Sequence, residues 1–198
     1  ALNIFSRGQA YADSIGDHRS ATEFKLRSVS LMPLSGVTAE AIEIFQSIDT
    51  VGLDTPMMRL YYEAGSKMYG YIATIYRDYP MFHDSYDSLS LRMMSHAVAL
   101  NKLAPLPAPS SRLVTEGEYL RRTGRHNQAR KLLLEVLDST SVTDNNYAIA
   151  AYLLASIAGD LGNENELTYY LALSALADPR AATREVTSLQ RLGQLMLE

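Results

Sequence analysis

The side chains best suited to binding something are the tyrosines, 13 in a chain of 198 residues. Tyr62, Tyr69 and Tyr76 fall seven apart, so on a helix they make one stripe, with Tyr61, Met68, Ile72 and Ile75 beside it. Such a stripe buries large rings while the hydroxyls reach water or a backbone acceptor. It serves equally as packing or as an aromatic-lined groove for a peptide or sugar, and we take Tyr62, Tyr69 and Tyr76 as the candidate groove. His83, Asp84 and Asp87 carry metal-ligating atoms, but a site needs three or four converging ligands. Asp84 or Ser85 reads as a helix cap, which leaves His83 in a loop, and we expect no metal and no cofactor. Ser95 and His96 are adjacent on a helix and point apart, so they form no catalytic dyad. The zinc-protease, nucleophile-elbow, phosphate-loop and dinucleotide motifs are missing from the sequence, and nothing argues for an enzyme.

Arg121, Arg122, Arg125, Arg130 and Lys131 form the one local concentration of positive charge. Arg121 and Arg122 close a helix, where cations complement the dipole, and a solvated helix end accounts for them. The net charge of −4 argues against a nucleic-acid surface. Cysteine is absent, which excludes disulfides and thiolate metal sites without locating the protein. Apolar residues at 47% and charged residues at 20% describe a globular chain, and no apolar run is long enough to span a membrane.

The elements that hold these residues read as helices throughout, with glycine and proline between them. Expected helices cover about 3–15, 19–32, 38–48, 55–79, 84–103, 111–123, 126–137, 144–161, 164–177 and 181–197, with Thr38 capping the third. The segment 78–84 reads as a loop, and Ala104-Pro-Leu-Pro-Ala-Pro-Ser-Ser111 as a short semi-rigid connection. Ile4, Ala10 or Tyr11, and Ile15 fall on one side of the first helix.

A single spacing recurs across these helices: Gly117, Gly124, Ala129, Leu133 and Val136; Ala155, Gly162, Leu167, Leu171 and Ser174, followed by Pro179; and Val29, Gly36, Ala41, Phe45 and Ile48. Small residues let two antiparallel helices approach, the middle glycine turns the chain in a left-handed conformation, and the large residue fills the gap to the next hairpin. This is the tetratricopeptide type of helical repeat. It predicts an all-α, right-handed superhelix of about ten helices in antiparallel hairpins, a single repeat domain over 1–198. The opening leaves two pairings: the first two helices form a repeat, or the first helix ends a repeat whose start is missing. The spacing around Gly36 favours the second.

Two stretches carry a resemblance beyond the generic repeat. Arg130-Lys-Leu-Leu-Leu-Glu-Val-Leu137, Tyr147-Ala-Ile-Ala-Ala-Tyr152 and Tyr169-Tyr-Leu-Ala-Leu-Ser-Ala-Leu-Ala-Asp178, running on through Arg180 to Leu192, form the first. Ala41 to Asp49, Tyr61-Tyr62 and the Tyr76–Ser88 region form the second. Together they resemble the helical-repeat region of an uncharacterised family of Bacteroides-type transcriptional regulators. The resemblance implies an extracytoplasmic repeat domain, followed in such proteins by a transmembrane helix and a cytoplasmic output region. It supplies no site residues.

These readings combine into a non-catalytic interaction or ligand-sensing module of an envelope-associated regulator, lying on the periplasmic side of an inner-membrane protein. The partner would be a protein, a peptide or a glycan, with no nucleic acid bound and the membrane reached through other segments only. The alternatives are a glycan-capturing or glycan-processing repeat protein and a soluble cytoplasmic adaptor. The chain opens inside a helix at Ala1-Leu-Asn-Ile-Phe5, so a fragment of a longer protein is expected. Ala182, Val186, Leu189, Leu192, Gly193 and Met196 form a broad terminal stripe, from which we expect a homodimer contact through the C-terminal helix.

Overall fold

A computed structural model describes residues 2–103, 109–177 and 193. Among the described residues the regular structure is entirely helical, nine α-helices and one 3-10 turn. The chain divides into two compact units, 1–104 and 105–198. The first holds α1 (Leu2–Ser14), α2 (His18–Val29), the 3-10 turn Met32–Ser35, α3 (Thr38–Gln46), α4 (Thr55–Ile75) and α5 (Pro80–Leu103). The second holds α6 (Pro109–Arg122), α7 (His126–Ser139), α8 (Asn145–Asp160) and α9 (Glu164–Ala177). Apart from Gly193, the expected helix over 181–197 and its apolar stripe lie outside the described residues, as does Pro179.

One turn is built four times. At Gly16, Gly36, Gly124 and Gly162 the backbone is left-handed, with φ between 72° and 81°. At each, the glycine N–H donates to the carbonyl three residues back and the next N–H donates to the carbonyl five back, as in Gly124 to Arg121 (2.9 Å) and Arg125 to Leu120 (2.8 Å). These are Schellman closures, and they satisfy the last carbonyls of the outgoing helix. The carbonyl of the residue after the glycine then accepts the first bond of the next helix, from Ala21, Ala41, Ala129 or Leu167. Reversal takes about three residues, so the two helices are forced into contact.

Close contact is possible because the facing positions are small. A Cβ on Gly117 would lie 2.8 Å from Leu133 Cδ2, and one on Gly8 would lie 2.8 Å from the Phe24 ring. The second contact makes α1 and α2 a hairpin of their own, the pairing that the spacing around Gly36 had disfavoured. Ile4, Tyr11 and Ile15 are exposed, and it is Ala12 that α1 buries. Thr38 is the first helical residue rather than the cap: Val37 occupies that place and offers no side-chain acceptor. Asp17, Asp54 and Asp144 do cap, accepting from Ser20, Met57 and Asn146.

Each unit has its own core. In the first, Leu26, Val29, Ala41, Phe45, Met68 and Ile72 are buried together. In the second, Ala129, Leu133, Val136, Leu154, Ile157 and Leu171 are. Buried serines tie hairpins across: Ser90 donates to the Ser66 carbonyl (2.8 Å) and Ser174 to the Ala148 carbonyl (2.9 Å). These bonds satisfy the hydroxyls and fix helix register.

Candidate functional site: an aromatic band on the α4–α5 hairpin

The longest helices are α5 at 24 residues and α4 at 21, and together they carry most of the rings. Asp54 and Pro56 start α4, and the helix ends at Ile75, four residues earlier than the sequence suggested. Pro80 then opens α5, so Met81, Phe82 and His83 are helical rather than looped. Proline at a first helical position gives up no hydrogen bond, which explains the early start. His83 reaches back across the hairpin, its Nδ1 lying 2.9 Å from the Ala73 carbonyl.

The rings form a continuous chain of contacts. His96 stacks on Tyr62 (centroids 4.8 Å, 25°), Tyr62 meets the edge of Tyr61, and Tyr61 stacks on Phe45 (4.5 Å, 12°). Phe45 meets Tyr69 edge-on at 6.0 Å, and Tyr86 stacks between Tyr69 (6.2 Å) and Tyr76 (5.9 Å). Tyr76 then touches Tyr79 and Phe82. Gly65 lets Phe45 in, since a Cβ there would sit 2.5 Å from its Cζ, and Gly70 stands 3.2 Å, measured the same way, from the Ser90 hydroxyl.

The three tyrosines of the sequence stripe therefore have different places. Tyr69 is 6% exposed and belongs to the core, while Tyr62 and Tyr76 are half-buried at its two margins. At one margin His96 is exposed beside Tyr62. At the other, Ile75, Tyr79, Met81 and Phe82 are exposed around Tyr76, Tyr79 by 62%. Burial pushes the Tyr61 and Tyr69 hydroxyls above the ordinary phenol value. Glu63, on the next position of α4 after Tyr62, is likewise raised by burial, against the pull of Lys67 and of Arg59 at 3.8 Å. The rings and neighbouring polar groups suit stacking and hydrogen bonding.

His96, Tyr86 and Phe82 are the members that the sequence did not nominate. A signal existed: in an antiparallel hairpin, contacting residues have a nearly constant sum of positions, as Tyr62–His96, Ser66–Ser90 and Ala73–His83 do. Finding it requires knowing where the hairpin turns, and that was misplaced by four residues.

Other candidate chemistry is already committed to structure. His83 and Asp87 do share α5, yet among the described residues no three or more His, Cys, Asp or Glu side chains converge to hold a metal. The basic stretch is divided among partners: Arg130 grips Glu166 with two bonds (2.5 and 2.7 Å), Arg121 reaches Asp160 at 3.1 Å, and Arg125 lies over the Tyr119 ring at 5.3 Å. A shallow cavity of about 330 Å³ beside the start of α2 includes Arg19, whose guanidinium is paired with Asp54. No described helix is long and apolar enough to cross a membrane.

The repeated turn, the close glycine contacts and the all-helical core are those of a helical repeat. A family model described as the SusR N-terminal TPR domain matches residues 1–198. The chain belongs to this family. No curated protein and no solved structure matches it. Tetratricopeptide domains are generally protein-interaction modules, and this SusR-type domain has the stacked hairpins on which such interactions are built. In this SusR N-terminal domain the rings of α4 and α5 include the buried Tyr69 and the exposed Phe82.

Proposed function

We propose that the chain is the non-catalytic sensing module of an envelope-associated transcriptional regulator, its repeats on the periplasmic side of the inner membrane, with the α4–α5 hairpin as its recognition element. The observation that carries this reading is the aromatic band, buried in its middle and open to solvent at both margins. Occupying either margin touches rings that continue into the core, so a ligand contacts the packing itself and favours the arrangement it fits. The regulator assignment is supported by the resemblance in the run 171–178 and by the family match.

The preferred ligand is a protein or peptide, the usual partner of tetratricopeptide domains. A glycan is the second reading, favoured at one margin by exposed rings beside the exposed carboxylates of Asp78 and Asp84. Aromatic faces stack on sugar rings, and carboxylates accept from sugar hydroxyls. The deciding experiment replaces Tyr79 and Phe82 by serine in the full-length regulator, and separately Tyr62 and His96 by alanine. Either pair should lower induction of the regulated genes at least about tenfold, a loss of about 1.4 kcal/mol of coupling, at unchanged protein level. Normal induction in both variants would remove the hairpin from recognition. Calorimetry of this domain against peptides and neutral oligosaccharides then separates the two ligand classes.

A further inference from the structure

Where a left-handed glycine closes four other turns, α4 ends without one. Tyr76 follows its last residue at φ −93° and ψ 23°. The Arg77 N–H, which would bond the Ala73 carbonyl if the helix ran on, goes to Thr74 instead (3.3 Å). That leaves the Ala73 carbonyl among the orphaned acceptors of a helix end. Its donor comes from the first turn of α5: His83 Nδ1, 2.9 Å away and 10 residues along the chain. A carbonyl only accepts, so Nδ1 must carry the hydrogen. The bond therefore fixes the tautomer, and in the neutral ring the lone pair is on Nε2.

The place of this bond in the chain gives it a second consequence. The loop that it closes, from Ala73 to His83, contains Ile75, Tyr79, Met81 and Phe82, the exposed apolar residues at this end of the hairpin. Between 48% and 73% of the surface of each stays in water. Apolar stabilisation scales with the area removed from water, so partial burial orients such side chains only loosely. Within the loop the Tyr79 N–H donates to the Tyr76 carbonyl (2.9 Å) and the Phe82 N–H to the Tyr79 carbonyl (3.0 Å). The Tyr76 ring touches Phe82 at 5.6 Å and Tyr79 at 6.3 Å. His83 Nδ1 adds the bond that ties all of this to the last turn of α4.

We propose that His83 is the positioning residue of this margin, its Nδ1–H bond to the Ala73 carbonyl holding Tyr79 and Phe82 in the arrangement that a ligand meets. The proposal rests on the reading of the α4–α5 hairpin as the recognition element and adds the group that sets it. A ligand seated on Tyr79 and Phe82 then pulls on a loop pinned to α4, and contact at the surface reaches that helix through one hydrogen bond.

The test is a matched pair, His83→Leu and His83→Asn. Both keep two heavy atoms on Cγ, where histidine has its ring atoms, but only asparagine offers an N–H donor there. In long-range nitrogen–proton spectra of the 198-residue chain, at a pH where the ring is neutral, His83 should show a protonated Nδ1 and a bare Nε2. Hydrogen exchange at the Tyr79 and Phe82 amides should quicken about fivefold in His83→Leu, the effect of one ordinary hydrogen bond on a local opening, with the middle of α4 unchanged. In His83→Asn it should stay near the wild-type rate. An Nε2–H tautomer, wild-type exchange in the leucine variant, or leucine-like exchange in the asparagine variant overturns the proposal. In the full-length regulator, induction should fall with leucine and be retained with asparagine. Normal induction in His83→Leu, beside a silent Tyr79→Ser, Phe82→Ser protein, overturns this proposal alone. Normal induction in the serine pair removes the recognition reading itself, and this proposal with it.

Discussion

Gly117 and Gly124 are seven residues apart and needed for different reasons. At Gly117 the space is taken, because Leu133 stands where a Cβ would be. At Gly124 nothing stands within 4 Å, and the constraint is a φ of 74°. Gly117→Leu should cost roughly 1–3 kcal/mol by overpacking. Gly124→Val should cost at least about 1 kcal/mol through backbone strain. Urea titration of both gives the answer, and unchanged midpoints would mean that the hairpin tolerates what its geometry forbids. Asn101 poses the reverse case: it is 1% exposed, and among the described residues neither Oδ1 nor Nδ2 has a hydrogen-bond partner. Asn101→Leu removes that desolvation cost at similar volume and should raise stability by about 1–2 kcal/mol. The glycines were legible because conformation and crowding leave marks on residue type. Asn101 was not, since a polar residue late in a helix reads as exposed until its surroundings are known.

Between elements, the acids of the second unit bind the arginines of the hairpin before. Arg130 on α7 and Glu166 on α9 are 36 residues apart, close to the 38 that separate the turn glycines Gly124 and Gly162. The sequence reading treated the arginines as a solvated helix end, because it lacked the stacking that carries Glu166 to them. The Arg130 guanidinium holds the Glu166 carboxyl below its ordinary value of 4.5. A lowered carboxyl contributes stability above that value and loses it as pH falls through the folded one, at most about 1 kcal/mol for so exposed a pair. Glu63 on α4 has the opposite sign, since burial raises it above 4.5. Its contribution is present below pH 4.5 and is lost as pH rises through the folded value. Glu166→Gln should therefore flatten the acid limb of the stability profile. Glu63→Gln should raise the urea midpoint at pH 7 and leave it unchanged at the acid end, and equal effects at both ends would contradict the burial of Glu63.

At the scale of the molecule, the two cores contain no shared residue: one is drawn from α2 to α5 and the other from α6 to α9. We propose that they nevertheless behave as the single repeat domain that the recurring spacing suggests. Urea unfolding followed by near-ultraviolet tyrosine dichroism and by far-ultraviolet helicity should then give one coincident transition. Two transitions would mean a functional division near residue 104. The architecture was legible from a handful of positions, Gly36, Ala41, Gly124, Ala129 and Gly162, because helix pairs must meet at small residues. The α4–α5 site was half legible. The seven-residue spacing of Tyr62, Tyr69 and Tyr76 marked the stripe, but a stripe wider than its buried face looks the same in sequence as a groove, and only packing put Tyr69 inside.

The four glycine turns also bear on time. Each joins helices that are neighbours in sequence, so most of the fold is assembled from contacts that need little chain closure. Chains of such low contact order fold in microseconds to milliseconds, and a hairpin can start wherever a turn forms first. With several equivalent starting points, damage at one glycine, such as Gly124, should leave the overall folding rate nearly intact while it speeds unfolding. A nascent chain would gain the α1–α2 hairpin as soon as the residues around Gly16 are free to pair, before the later turns of this domain exist.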